Sequence, residues 1–200
     1  RIPTISIYTV YKDYPVEWLE KCVKQALLAG EKFEKDYPEL EFEYIFVDYG
    51  TSDLKCMRSM LELINNKKIK FISNKTDTFL DAVRFAISKC SGTYVIRADS
   101  DDYLFTEALT ELYKQIKYNR SAIIIPSHLD LYEDGSTKNE TATLSCQALV
   151  ERKKYDHIKY ADGQAFRDGV SLMASFKKYG FKITYSISQL FAHRIHEKSI

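Results

Sequence analysis

The sequence predicts an α/β protein built on a mostly parallel sheet. Over the first half, short β-branched or aromatic runs alternate with segments whose apolar residues recur at helical spacing, the pattern of strand–helix crossovers. Two of those runs end in aspartate, Val47-Asp48 and Ala98-Asp99, and ligands of parallel sheets gather beyond the carboxyl ends of the strands. The second tip continues as Asp99-Ser100-Asp101-Asp102, which crowds three carboxylates onto a single turn.

Taken in order, Thr4-Ile5-Ser6-Ile7-Tyr8-Thr9-Val10 reads as the first strand. Trp18, Leu19, Cys22, Val23, Ala26 and Leu27 mark an amphipathic helix ending near Gly30. Residues 42–48 form the second strand, 49–53 a turn and 54–64 a helix. Residues 69–73 are a strand, and 78–89 a helix with Leu80, Val83, Ile87 and Cys90 inward. Residues 93–97 climb to the acidic turn, and Thr106 is placed to cap a helix over 106–118. Beyond it the pattern loosens. Residues 122–132 read as a strand with an irregular extension, 133–137 as a hairpin-like turn, 138–143 as polar and mobile, and 144–150 as a returning strand. A helix over 168–179 puts Leu172, Met173 and Phe176 on one face and stops at Gly180; a strand over 181–186 follows. No repeat or linker interrupts the chain, which predicts one domain over residues 1–200.

Two hundred residues with 45% hydrophobic and 28% charged content are enough for one sizeable core. A net charge of +1 supplies no field to gather nucleic acid, and the basic runs Lys67-Lys68-Ile69-Lys70 and Arg152-Lys153-Lys154 read as solvated faces. Four cysteines, at 22, 56, 90 and 146, share no ligand spacing and read as free thiols of a reducing compartment. With no run of eighteen apolar residues and no basic-then-apolar leader, the expected location is cytoplasmic, the inner face of the membrane included. Arg1 reads as a start inside a longer product.

Three carboxylates this close stay ionised at neutral pH only if water, hydrogen-bond donors or a cation offset them. Oxygen ligands on a short turn suit hard divalent ions such as Mg²⁺ or Mn²⁺. An EF-hand is excluded, because Leu104 and Thr110 stand where that loop needs Gly and Glu. The plainer alternative is that one acid merely caps the following helix.

The order of these features resembles family 2 glycosyltransferases of the GT-A fold over nearly the whole chain. Phe46-Val47-Asp48-Tyr49-Gly50-Thr51-Ser52-Asp53 is similar to that family's V-D-D-G-S-x-D segment. Residues 92–102 match G-x-Y-I…D-x-D-D, Arg167-Asp168-Gly169 sits where members carry an acidic motif, and Arg194-Ile195-His196 fits an R-x-H tail. There are departures: Tyr49 replaces the second aspartate, the A-R-N-x-G stretch becomes Ala82-Val83-Arg84-Phe85-Ala86, and Gly169 replaces a second acid.

The resemblance implies a metal-assisted, inverting transfer of a sugar from a nucleoside-diphosphate sugar, a UDP-sugar first, to a hydroxyl of a glycan or lipid-linked acceptor. It implies a nucleotide-sugar half over 1–103 and an acceptor half over 104–200, with an acceptor wall from 129–143 and 144–160. Asp48 is expected at the nucleobase edge, or else capping its own loop; Gly50 belongs to the same loop, and Thr9 and Tyr11 should wall the base pocket, unless Tyr11 is a surface ring. Arg84 could serve the phosphates. Asp99 is expected near the ribose and the Mn²⁺ or Mg²⁺, with Asp101 and His196 as ligands and Asp102 either a further ligand or an acceptor behind them. His193 is a weaker candidate for the metal or phosphate, and Arg194 pairs with the diphosphate or with a surface acid. Asp168 is the expected general base, with Asp162 as its rival; the bland role for Asp168 is a helix N-terminus. The competing functions are a catalytically degenerate nucleotide-sugar-binding module and a nucleotidyltransferase. The latter lacks its glycine-rich loop in Thr9-Val10-Tyr11-Lys12-Asp13.

Overall fold

The computed structural model describes residues 2–142, 147–157 and 168–196, with the backbone alone for 168–170. Four strands, β1 (Ile5–Tyr11), β2 (Phe42–Asp48), β3 (Ile69–Ser73) and β4 (Tyr94–Arg97), run parallel in the order β3-β2-β1-β4. Their connections are α1 (Val16–Asp36), α2 (Leu54–Leu63) and α3 (Phe79–Lys89). The sheet is extended by β5 (Tyr103–Leu104), β6 (Ile123–Tyr132), β7 (Thr137–Glu140), β8 (Leu149–Glu151) and β9 (Ile183–Ile195). Past β4 the order is β8-β6-β9-β5, with β7 antiparallel on β6.

Alternation along the central strands sends their side chains into two cores. Ile5, Ile7 and Tyr11 of β1 join Leu19, Val23 and Phe33 of α1, together with Leu109 and Leu112 of α4 (Ala108–Asn119). Tyr8 and Val10 join Val83 of α3 and Phe176 of α5 (Asp168–Lys178) on the other face. The result is the expected α/β fold, a mostly parallel sheet flanked by helices.

Several boundaries differ from the sequence reading. α1 runs through Gly30 to Asp36, because Ala26, Ala29, Gly30 and Phe33 continue its buried face. Gly30 is a packing residue there: a Cβ would lie 2.4 Å from the Phe42 ring. Thr106 does not cap α4; Glu107 holds that position without a side-chain bond. Residues 138–140, part of the stretch expected to be mobile, pair in register with β6, as does Thr137 of the expected turn. β9 extends to residue 195, far past the expected 186, because β6 and β5 offer it partners on both sides. Cys22, Cys56 and Cys90 are free thiols, and Cys146 lies outside the described residues. Among the described residues no helix is long and apolar enough to cross a membrane.

This topology places β1 between β2 and β4, so the carboxyl ends of all three share one rim. Two strand spacings, about 10 Å, separate the tips of β2 and β4. The opposite rim is locked by a buried polar knot. Ser6 donates to Glu43 at 2.6 Å and accepts from the Gly92 N–H at 2.8 Å, while Arg152 Nε donates to the Gly92 carbonyl. A Cβ on Gly92 would sit 2.7 Å from the Ser6 backbone nitrogen, and backbone cannot swing aside as a side-chain tip can. Gly92→Ala is therefore expected to lower the unfolding free energy by about 1–3 kcal/mol in urea titration, whereas a change confined to a surface loop would leave it within about 0.5 kcal/mol.

Candidate active site

The loops after β1 and β2 are tied to each other by Asp13. Its carboxylate accepts from the Ser52 N–H at 2.9 Å, the Ser52 hydroxyl at 3.0 Å and the Asp53 N–H at 3.0 Å. Slight burial pushes its pKa up, but these donors hold it below the usual carboxylate range. Asp48, at the tip of β2, is 5% exposed; its Oδ1 accepts from the N–H groups of Gly50 (3.2 Å) and Thr51 (2.9 Å). It thus caps its own loop, leaving Oδ2 without a hydrogen bond among the described residues. Gly50 supports the turn with φ of 127°, a conformation that side chains resist.

At the tip of β4 each acid of the turn meets a different partner. Asp99 faces Arg97, with Nη2 donating to Oδ2 at 3.1 Å and Nε 2.6 Å from Oδ1; Gln147 also donates to it. Asp101 Oδ2 lies 3.2 Å from His196 Nε2. Asp102 is buried, and both its oxygens are engaged: Oδ1 accepts the Arg194 N–H at 2.8 Å and Oδ2 the Gln147 amide at 2.8 Å. Burial first, then the charges of Asp101 and Asp99, push its pKa well above the ordinary value. Of the two roles open to Asp102, the acceptor behind the turn is the one its bonds describe. Arg194 Nε donates to the Asp101 carbonyl at 3.1 Å, so β9 is stitched to the turn through backbone and side chain alike.

A cleft of about 440 Å³ opens beside this turn, lined by Lys12, Asp13, Tyr14, Pro15, Trp18, Glu133 and His196. The Trp18 ring meets the His196 ring at 4.9 Å and the Arg194 guanidinium at 5.0 Å. Burial and then Asp101 push the Tyr14 phenol up to about 12, so it stays a neutral donor facing the acids.

Asp48, Gly50, Asp99, Asp101 and His196 therefore lie along the shared rim. Thr9 and Tyr11 do not wall a pocket. Both are 0% exposed: Thr9 donates to the Ala98 carbonyl at 2.7 Å, and Tyr11 to the Tyr14 carbonyl at 2.8 Å. Odd-numbered positions of β1 face the α1 core, which is why these hydroxyls turn inward. Arg84 stands on an exposed turn of α3, 3.7 Å from Asp81; the buried cation at the acidic turn is Arg97. His193 sits against Asp130, at 3.1 Å. The backbone of Asp168 opens α5, its side chain is not described, and Asp162 lies outside the described residues.

Sequence reasoning overlooked Arg97, Gln147 and Trp18. Arg97 and Asp99 stand two apart where an apolar strand ends, a spacing that puts a cation beside an acid on one side of the chain. Trp18, the chain's single tryptophan, opens the helix after β1. Nothing local marks Gln147.

A family model described as glycosyl transferase family 2 matches residues 6–182. Among curated proteins, the chain is 26% identical over 142 residues to a chondroitin synthase of Pasteurella multocida (strain Pm70), covering 68% of this chain and 13% of that protein. A hyaluronan synthase of Pasteurella multocida is 25% identical over the same proportions. A chondroitin synthase of Escherichia coli is 27% identical over 109 residues, 54% of this chain and 15% of that one. Among solved structures, S. aureus TarS 1-349 in complex with UDP-GlcNAc superposes with a TM-score of 0.71 at 19% identity, covering 98% of this chain and 60% of the other. Its complex with UDP gives 0.71 at 18%. The chain thus spans about one-seventh of the curated relatives and three-fifths of the structural ones.

The raised pKa of Asp102 has a consequence for stability. A group that holds its proton more tightly folded than unfolded contributes fully below its unfolded pKa, and that contribution is lost as pH rises through the folded value. In chelator, wild type should lose stability relative to Asp102→Asn as the pH climbs from the ordinary carboxylate range, read from urea midpoints. A gap that does not change with pH would mean that folding leaves the Asp102 pKa at its unfolded value.

Proposed function

The chain belongs to glycosyl transferase family 2, and on that premise we propose that it transfers a sugar from a UDP-sugar to a hydroxyl of a glycan or lipid-linked acceptor, with inversion at the anomeric carbon. The observation that carries this reading is the shared rim. Asp48 and the Asp99–Asp102 turn flank β1 on parallel strands, and β9 brings His196 to 3.2 Å from Asp101. The TarS complexes with UDP-GlcNAc and UDP support a uridine donor, and the chondroitin and hyaluronan synthases support a growing polysaccharide as acceptor.

In this reading residues 1–103 hold the nucleotide sugar and 104–200 the acceptor. Asp48 Oδ2 accepts the imide N–H of the base while Oδ1 keeps the loop in place, and Asp99 lies beside the ribose, its carboxylate steadied by Arg97. Asp101 and His196 would hold Mn²⁺ or Mg²⁺. Their donor atoms are spaced close to the edge of an octahedron with bonds of about 2.1 Å, and a carboxylate with an imidazole suits Mn²⁺ somewhat better. When bound, the cation offsets charge that grows on the diphosphate as it leaves. Arg194 stands beside the same position and contributes a fixed positive charge. Trp18 and Glu133, in the cleft with His196, form an apolar and an acidic wall suited to a sugar ring.

Asp168 is assigned the base. The acceptor oxygen attacks the anomeric carbon from the face opposite the phosphate, its proton passes to the carboxylate, and the carbon–phosphate-oxygen bond breaks to release UDP. One displacement inverts the configuration.

Two measurements test the assignment. UDP with Mn²⁺ should raise the melting temperature of wild type, and Asp101→Ala should abolish the Mn²⁺-dependent part of that rise. Asp168→Asn should keep the rise while transfer falls by about 10²–10⁴-fold; undiminished transfer would move the base role to Asp162. If wild type shows metal-dependent nucleotide binding but no transfer to any glycan and no sugar release, the chain is a binding module and the catalytic reading fails.

A further inference from the structure

A second cluster of metal-ligating side chains lies away from the acidic turn, where β6 runs parallel to β9. The register pairs His128 with Phe191 and Asp130 with His193, so these four side chains share one face of the sheet. The pairing shifts register on either side of Ser127, immediately before His128, and such irregularities re-aim side chains next to sites. His193 Nδ1 lies 3.1 Å from Asp130 Oδ1 and His128 Nε2 lies 3.3 Å from the same oxygen. All three donor atoms fall within 4.8 Å of one another.

From this geometry we propose that His128, Asp130 and His193 form a binding site for a late first-row divalent cation, Zn²⁺ by its donor set, distinct from the site at Asp101 and His196. A tetrahedron with bonds of about 2.0–2.1 Å has edges of about 3.3 Å, which two of the three separations match. Two imidazole nitrogens and one carboxylate oxygen favour Zn²⁺ over Mg²⁺ or Ca²⁺. The arrangement is preorganised: the His128 ring stacks on Phe191 at 5.0 Å and 19°, and stands at 82° to the His193 ring, 5.7 Å away. His128 and Asp130 are buried, while the His193 side chain is 22% exposed and leaves an approach for the ion.

Hydrogen bonding alone accounts for less of this cluster. Both imidazoles converge on a single carboxylate oxygen, and buried His128 Nδ1 has no hydrogen-bond partner among the described residues. Burial holds the His128 pKa below its ordinary value, which keeps its ring neutral and able to ligate. The facing strand β7 adds Glu140 opposite His128 and Lys138 opposite Asp130, and these two pair with each other. The local charge therefore leaves one carboxylate for a cation to offset. The fourth position falls to water. Occupancy would fasten β6 to β9 beside Arg194 and three residues before His196.

The test uses the full chain carrying Asp101→Ala, stripped by chelator, so that the acidic turn cannot report. Calorimetric titration with zinc chloride alone should give one equivalent bound and a raised melting temperature. His193→Ala in the same background, chosen because its side chain is the most exposed of the three, should weaken that binding more than about tenfold. Absence of zinc uptake in Asp101→Ala, or unchanged affinity after His193→Ala, overturns the proposal. Zinc K-edge absorption on the wild-type chain loaded with one equivalent supplies a readout that needs no variant. Two imidazole ligands support this site, and a single imidazole assigns the ion to Asp101 and His196 instead. Failure here leaves the sugar-transfer reading standing, since UDP and Mn²⁺ binding do not depend on it.

Discussion

Three carboxylates within four residues must each be accommodated at the end of a buried strand, and the architecture around them follows from that demand. Removing the partner of a buried charge costs about 3–5 kcal/mol, so no acid of this turn can be left to itself. Asp99 is met by the Arg97 guanidinium, Asp101 by the His196 imidazole, and Asp102 by hydrogen bonds together with a raised affinity for a proton. The three differ in chemistry because they differ in burial. Asp102, deepest of them, has both oxygens engaged within the fold, while the Asp101 side chain stays partly exposed.

Meeting that demand requires β9. It reaches the turn from the far half of the chain and donates the Arg194 N–H to Asp102, then carries the Arg194 side chain to the Asp101 carbonyl. The strand is held by β6 along one side and by the two-residue β5 on the other. β5 follows the acids directly, so pairing it with β9 fixes the turn at its downstream end. The β2 side of the rim is anchored separately, where Asp13 joins the loops after β1 and β2 and Asp48 caps the second of them. A rim anchored at both ends in this way is largely formed before any ligand arrives, which limits the entropy lost on binding.

Polar residues inside the sheet divide into two kinds. Ser6, Thr9 and Tyr44 satisfy one another or nearby backbone and serve cohesion. Asp48, Asp101 and Asp130 each keep one carboxylate oxygen without a hydrogen bond among the described residues. Burial alone does not separate these kinds, since most of them are nearly inaccessible. The hydrogen-bond inventory of each oxygen does.

The alternation of strands and helices and the acids at two strand tips were legible in the chain itself, because periodicity and strand-end position are properties of neighbouring residues. The family resemblance, carried by equally local motifs, implied that Thr9 and Tyr11 wall a pocket and that His193 is a weaker companion of His196. Which way a β1 side chain turns depends on the core it meets, and His193 and His196 part company because His193 is paired opposite Asp130 of β6 whereas His196 follows the end of β9 and meets Asp101. Contacts such as Arg194 with Asp102, 92 positions apart, or Gln147 with Asp99, 48 apart, leave no trace in local pattern. Sequence alone determined that acids would gather at the carboxyl rim of a parallel sheet. Only the tertiary structure decided which acid each distant donor would meet, since that choice rests on how strands far apart in the chain are laid side by side.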